Sequence, residues 1–424
     1  MGFQQGLSGL NASSKNLEVI GNNVANANTI GAKGSRAEFG DMYASAINGS
    51  NIGIGVNLQA VTQQFSQGNI TTTGNALDLA INGGGFFELS NGTQTVYSRN
   101  GQFQKDKDGY IVNNAGLKLM GYPADTNGTI QPGIAQPLKL PTGGVPPQVT
   151  SKISAELNLD SRLGVTKPAT APDIDFSDAN SYNNATSLSV FDAKGQDVAL
   201  TYYFQKSATD TWNVYATANG TTIGGTAAAP APIASITFSA DGSTPTITGA
   251  SGSTVTGTSL TFDIPASTNA AGAQALAITG VSMNLSGVTQ FGSPYGVTNL
   301  AQDGFAAGQL SGVTIEKSGI VMATYSNGQS KPAGQLELAT FRNEQGLTPL
   351  GSNLWARSAS SGDPIVGTPS TGNLGDLQPG ALEESNVDLT SELVNMITAQ
   401  RVYQANAQTI KTEDQIMQTL VNLR

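Results

Sequence analysis

The chain has 424 residues, a formal net charge of −10, no cysteine and no histidine. Charged residues make up 12%, about half of the usual ~25%, and no basic stripe is present to meet a nucleic acid. Without thiols there are no disulfides or thiolate metal sites, and without imidazole the commonest general base and metal ligand are gone. No paired-carboxylate or Ser–Lys pattern stands out, so the expectation is a non-enzyme with no catalytic residue, no metal and no cofactor. The apolar runs are far shorter than the ~18–20 residues of a membrane span. The length predicts two to four domains with sizeable cores.

The first 30 residues carry helical apolar spacing. Phe3, Leu7, Leu10, Leu17 and Val24 fall on alternating four- and three-residue steps, with Ser14 and Gly21 in the gaps. The start, MGFQQGLSGLNASSKN, lacks the basic n-region and apolar core of a Sec signal. The helix is expected to end at Asn26-Ala27-Asn28-Thr29-Ile30-Gly31, where Asn and Gly tolerate left-handed geometry. Residues 33–75 read as extended, with Val56, Leu58 and Ala60 alternating. From Gly74 to Pro123 strands and turns are dense. Gly83-Gly84-Gly85 before Phe86-Phe87 reads as a tight hairpin; a phosphate cradle would need a following helix and a Lys-Ser/Thr pair, and has neither. Asn100-Gly101 and Asp108-Gly109 are turn dipeptides.

A Pro-rich passage from Pro132 to Pro147 marks a boundary. Residues 148–292 are then rich in Thr, Ser, Ala and Gly, with many short strand patterns that suggest a sandwich or barrel. Trp212, Tyr202, Tyr203 and Tyr215 are expected in its core. Residues 293–375 resume the earlier style, as if the middle domain were inserted. At the end the helical stepping returns through Leu389, Leu393, Met396, Gln400, Tyr403, Ala407, Ile410, Asp414, Met417 and Val421. Asn386 or Asp388 is the expected N-cap of this segment.

These elements predict a mainly β, multi-domain fold with nested β domains and N- and C-terminal α-helices pairing as a coiled coil. The expected plan has four parts. Residues 1–32 with 387–424 form the terminal helical domain, and 33–72 with 366–386 an extended connection. Residues 73–147 with 293–365 form an inner β domain, and 148–292 an inserted outer one. Two helices alone bury one stripe each, so the apolar seams predict contacts with other copies. The expected subunit-assembly residues are Leu7, Leu10, Leu17, Val24, Leu393, Met396, Gln400, Tyr403, Ile410, Met417 and Leu420, with Asn26 and Asn28 shaping the corner. Gln400 and Asp414 are polar on the seam and could set its register.

The segments LSGLNASSKNLEVIGNNVANANTIGAKGSRAEF and LEESNVDLTSELVNMITAQRVYQANAQTIKTEDQIMQTL resemble the terminal signatures of bacterial flagellar rod and hook proteins. GNALDLAINGGGFF, YSRNGQF and GYIVNNAGLKLMGY are similar to the core domain of that axial family, and Gln290 to Asp388 to its hook branch in particular. The resemblance covers about two thirds of the chain, and the inserted domain carries no matching motif. It implies an extracellular hook subunit of the flagellum, exported unfolded by the flagellar type III export apparatus and added beneath a hook cap protein. The product is a homopolymer, a curved helical tube acting as a universal joint between the distal rod protein and the hook–filament junction protein. A distal rod subunit is the alternative within the family. Outside it, a monomeric β-rich surface adhesin would also be acidic and cysteine-poor.

Overall fold

The computed structural model describes residues 2–43, 53–125, 128–168, 172–269 and 272–422. Two helices flank a strand-rich middle: α1 (Gly2–Ala25) and α2 (Leu389–Asn422). Neither is long and apolar enough to cross a membrane. Helix α2 starts where it does because Asp388 caps it: its Oδ1 accepts from the Thr390 amide at 2.8 Å and the Ser391 amide at 3.1 Å. Those bonds, Ser391's first, hold the Asp388 carboxyl below its ordinary range.

The chain forms two compact units. The first comprises Met1–Thr142, Ser311–Thr324 and Ser330–Arg424; the second comprises Gly143–Leu310 and Tyr325–Gln329. In the first, β1 (Ser35–Tyr43) and β2 (Gly53–Gln63) form an antiparallel pair lying along α1. Gln5 Nε2 donates to the Gly53 carbonyl at 2.5 Å, and the Val56 amide donates to Ser8 Oγ at 3.3 Å.

The centre of the first unit's sheet is the strand Phe86–Ser90, which pairs with Thr95–Ser98, Lys118–Pro123 and Leu338–Thr340. Side chains alternate across it and feed two cores. Phe87 and Leu89 join Leu79, Ile81, Ile111, Leu119 and Leu338 on one side. Phe86 joins Tyr97, Ala339, Phe341 and Trp355 on the other, in edge-on ring contacts such as Phe86–Trp355 at 5.8 Å.

The glycine run before this strand is not a hairpin. Leu79–Asn82 pairs with Asp376–Pro379, whereas Phe86–Ser90 belongs to the larger sheet. The chain switches sheets within three residues, and Gly83 and Gly85 allow it with φ of +119° and +112°, which side chains disfavour. Asp108-Gly109 does lie in a turn, joining the antiparallel pair Phe103–Lys105 and Ile111–Asn113.

The second unit is a sandwich. One sheet runs through Ser259–Ile264, Ile278–Thr289, Lys152–Asn158 and Gly296–Gln302; the other through Asn184–Phe191, Asp197–Ala208, Thr211–Ala218 and Ala234–Phe238. Alternating residues of both, among them Ile153, Leu157, Met283, Phe204, Trp212 and Val214, fill one shared core. Trp212 and Tyr202 are fully buried there. The other two expected core aromatics lie outside it, because alternation turns them to the opposite sheet face: Tyr215 is buried beside Phe176, and Tyr203 is half-buried between Phe176 and Tyr182. Trp212 satisfies its polar edge by donating Nε1 to Gln290 Oε1 at 2.8 Å. Strand pairing carries Gly296–Gln302 into this unit, because it lies antiparallel to Lys152–Asn158.

Candidate assembly surface

The terminal helices run antiparallel, and the face α1 turns to α2 is mostly small and polar, with Ile20 its buried apolar member. Gly9 sits so close to Asn406 that an added Cβ would lie 2.9 Å from its side-chain amide; at Gly6 it would lie 3.1 Å from Ile410 Cγ1. At the other end Asn23 Nδ2 reaches Glu392 Oε1 at 3.3 Å. Between these points Ser13, Asn16 and Ile20 border a cleft of about 260 Å³ opposite Asn395 and Ala399. The inward positions are therefore Gly6, Gly9, Ser13, Asn16, Ile20 and Asn23, also on three- and four-residue steps.

Each expected seam residue of α1 follows one of these by a single position. One residue is roughly 100° of helix rotation, so the apolar stripe turns away from α2. Phe3 and Leu7 are exposed, Leu7 at 42%, while Leu10, Leu17 and Val24 are half-buried. On α2 the outcome is similar. Leu393, Gln400, Tyr403 and Met417 are exposed, Met396 is half-buried, and of the expected α2 residues Ile410 is the one set against Gly6. Val394, Ile397, Val402 and Ile416 add further exposed apolar surface. The Leu420 side chain lies outside the described residues. The chain thus pairs its own helices mainly through glycine and polar groups, with Ile20, Ala399 and Ile410 as the apolar members, and leaves part of its apolar stripes exposed. Covering one such half-exposed side chain yields roughly 1 kcal/mol, so only many together offset the cost of association.

The asparagines of the corner connect helix to sheet. Asn23 mimics a strand backbone: its Nδ2 donates to the Ser35 carbonyl and its Oδ1 accepts from the Ser35 amide, both at 2.8 Å. Asn386 does the same across the chain ends, accepting from the Gly34 amide at 2.8 Å and donating to the Gln64 carbonyl at 2.7 Å. Asn26 Nδ2 donates to the Asn22 carbonyl at 3.0 Å and its Oδ1 accepts from Thr29 Oγ1 at 3.3 Å; Asn28 is exposed.

Beneath this corner lies a buried ionic triad absent from the sequence-based expectation. Glu383 Oε1 meets Lys33 Nζ at 2.7 Å, and Oε2 meets Arg99 Nη1 at 3.3 Å, with essentially no solvent exposure. Lys33 Nζ also donates to the Ser66 carbonyl and Arg99 Nη2 to the Gly83 carbonyl, each at 2.8 Å. Burial pulls both cations below their ordinary values, and the Glu383 charge opposes it. The triad joins the segment after α1, the strand before α2 and the central sheet at one point. No spacing signal could reveal it, because its members are 33, 99 and 383 in sequence.

Replacing Gly9 by leucine tests the close approach. The larger side chain has to displace Asn406, so α1 and α2 separate at that end. Trypsin cleavage after Lys15 and Lys411 should then speed up several-fold in dilute protein; unchanged cleavage would contradict the packing.

Comparison with known proteins covers almost the whole chain. Family models match at residues 3–33 (Flagella basal body rod protein), 80–178 (Flagellar hook protein FlgE/F/G D1 domain), 158–305 (Flagellar basal body protein FlaE D2 domain) and 378–423 (Flagellar basal body rod FlgEFG protein C-terminal). The chain is 41% identical over 436 residues to the flagellar hook protein FlgE of Escherichia coli K12, covering 100% of both. It is 42% identical over 434 residues to that of Salmonella typhimurium, again covering 100% of both. Against the FlgE of Treponema pallidum it is 32% identical, covering 99% of this chain and 98% of the relative. In structure it is similar to a Helicobacter pylori flagellar hook protein FlgE2, with a TM-score of 0.53 and 15% identity over 74% of this chain and 100% of that one. Helices that meet at the chain ends, a strand-rich middle and full-length likeness agree: the chain belongs to the flagellar hook protein family.

Proposed function

We infer that this chain is a structural subunit of the bacterial flagellar hook, and that its terminal helices (residues 1–32 with 387–424) are the main assembly element. The observation that carries the reading is the rotation of the apolar stripes. Each helix meets its partner mainly through small and polar residues, Ile20 and Ile410 apart, and keeps Leu7, Leu393, Tyr403 and Met417 exposed. Such stripes along antiparallel helices suit neighbouring copies in a helical polymer, where a heterologous contact repeats without closing.

The resulting tube serves as a universal joint. Interlocked helices at its centre resist twisting and carry torque, while the β domains outside them shift against their neighbours as the tube bends. Few ion pairs would have to break, since charged residues are scarce. The proposed partners are a distal rod protein at the base, a hook cap protein at the growing end, a hook–filament junction protein above, and the type III apparatus for export.

Removing residues 415–424 takes away Ile416, Met417 and Val421, all exposed and apolar. The expected result is loss of salt-induced tubes in electron micrographs, with the thermal transitions of the β domains retained. Normal curved tubes from the truncated chain would overturn the helical reading, and straight tubes from the intact chain would favour a rod subunit.

A further inference from the structure

Two carboxyl groups face each other inside the first unit. Leu338 pairs with Phe87 and Ala339 with Phe86, and continuing that register by one residue brings the Glu337 side chain to Glu88, where the neighbour of Phe86–Ser90 changes to Lys118–Pro123. Glu88 is 8% exposed and Glu337 is 2% exposed. Residues directly opposite on adjacent strands share a face, so like charges there repel, and burial without a counter-charge adds a larger cost.

The groups around them offer no such charge. Tyr97 pairs with Glu88, and Tyr122, which pairs with Gln335, brings its phenol to Glu337. Arg357 acts on Tyr97 but is held by Asp363, and Arg99 is committed to Glu383. Among the described residues no ion pair reaches either carboxyl, and Glu88 Oε2 has no hydrogen-bond partner although it is buried.

We propose that one proton held between Glu88 and Glu337 is part of the native structure, which makes the inner β body a pH-sensitive element of the subunit. The proton resides on Glu88, whose O–H donates to the Glu337 carboxylate and so fills the orphan position. Burial, followed by the Glu337 charge, pushes the Glu88 carboxyl up to about 7. Burial raises Glu337 as well, while bonds from Tyr122 and Glu88 oppose the rise. Tyr122 is itself pushed up to about 12, burial first, and so stays a donor throughout the neutral range.

The direction of the pH effect follows. An unfolded chain releases this proton near the ordinary glutamic acid value of about 4.3, whereas the folded one keeps it to about 7. Within that window the folded state binds more protons, so stability falls as pH rises and levels off above it. The inner β body is most secure in mild acid and loosest in mild alkali, whether or not a polymer has formed.

Denaturant unfolding of the full chain in a Trp212→Phe background, read through Trp355, isolates the first unit. Between about pH 5 and about pH 8 its unfolding constant should rise on the order of a hundredfold, and Glu88→Gln and Glu337→Gln should each flatten that rise. An equal rise in both variants would overturn the proposal. Infrared difference spectra of the unmutated chain provide a check that does not depend on variants folding. A protonated carboxyl band that disappears on passing neutrality supports the shared proton, and its absence in mild acid refutes it.

Discussion

Leu7→Asp should abolish polymerisation while leaving the single chain as stable as before. Leu7 is 42% exposed and turned away from α2, so an aspartate there stays hydrated in the isolated molecule. In a polymer that covers the stripe, the same carboxylate is buried without a partner at a cost of several kcal/mol, enough to lower association by a factor of about a thousand or more. Sedimentation and electron microscopy read the assembly, and thermal melting reads the fold. Ile410→Asp is the informative contrast. Ile410 lies against Gly6, so its charge damages the internal helix pair even in dilute solution. Tubes formed by Leu7→Asp at the normal concentration would remove the basis for treating this stripe as a subunit contact. A melt as damaged as that of Ile410→Asp would place Leu7 inside the monomer's own packing.

Glu383→Ala should be the most damaging single change to the first unit, costing about 3–5 kcal/mol. The reason is not that the triad adds much net stability, since desolvation offsets most of what a buried ion pair gains. Removing the carboxylate leaves Lys33 and Arg99 buried with no counter-charge, although their carbonyl acceptors remain. Gly68 loses a bond too, because its amide donates to Glu383 Oε1 at 2.9 Å. The protein has two tryptophans, and Trp355 donates to Gln63 Oε1 at 2.6 Å within the affected unit. A Trp212→Phe background therefore lets fluorescence follow this unit alone during denaturation. A loss below about 0.5 kcal/mol would mean that water or a rearranged anion reaches the two cations, and that the corner is not sealed.

Much of the architecture was legible because local chemistry and global position agreed. Strand patterns across 148–292 pointed to sheet segments such as Asp197–Ala208, and the choice of Asn386 or Asp388 as cap bracketed the start of α2, which Asp388 caps. The glycine run at 83–85 was misread because positive φ is common to hairpins and to sheet switches. Only the partners of the flanking strands tell them apart. The assembly residues show the same limit. Two stripes on three- and four-residue steps coexist on α1, one apolar and one of Gly6, Gly9, Ser13, Asn16, Ile20 and Asn23. Periodicity favours the apolar stripe, yet the closest helix approach uses the other. The short spacing of Gly6 and Gly9 was the available signal.

From the order of residues alone came the helical ends, the strand-rich middle, the poverty of charge and the absence of thiol and imidazole chemistry. These are properties of neighbouring residues and of composition, and they need no knowledge of distant contacts. The folded chain decided which face of each helix is spent on its own partner, which residues close the corner, and which acids share a proton. Lys33, Arg99 and Glu383, like Glu88 and Glu337, are separated by tens to hundreds of positions. Their interactions arise only when strand register brings them within a few ångströms in a medium that water does not enter.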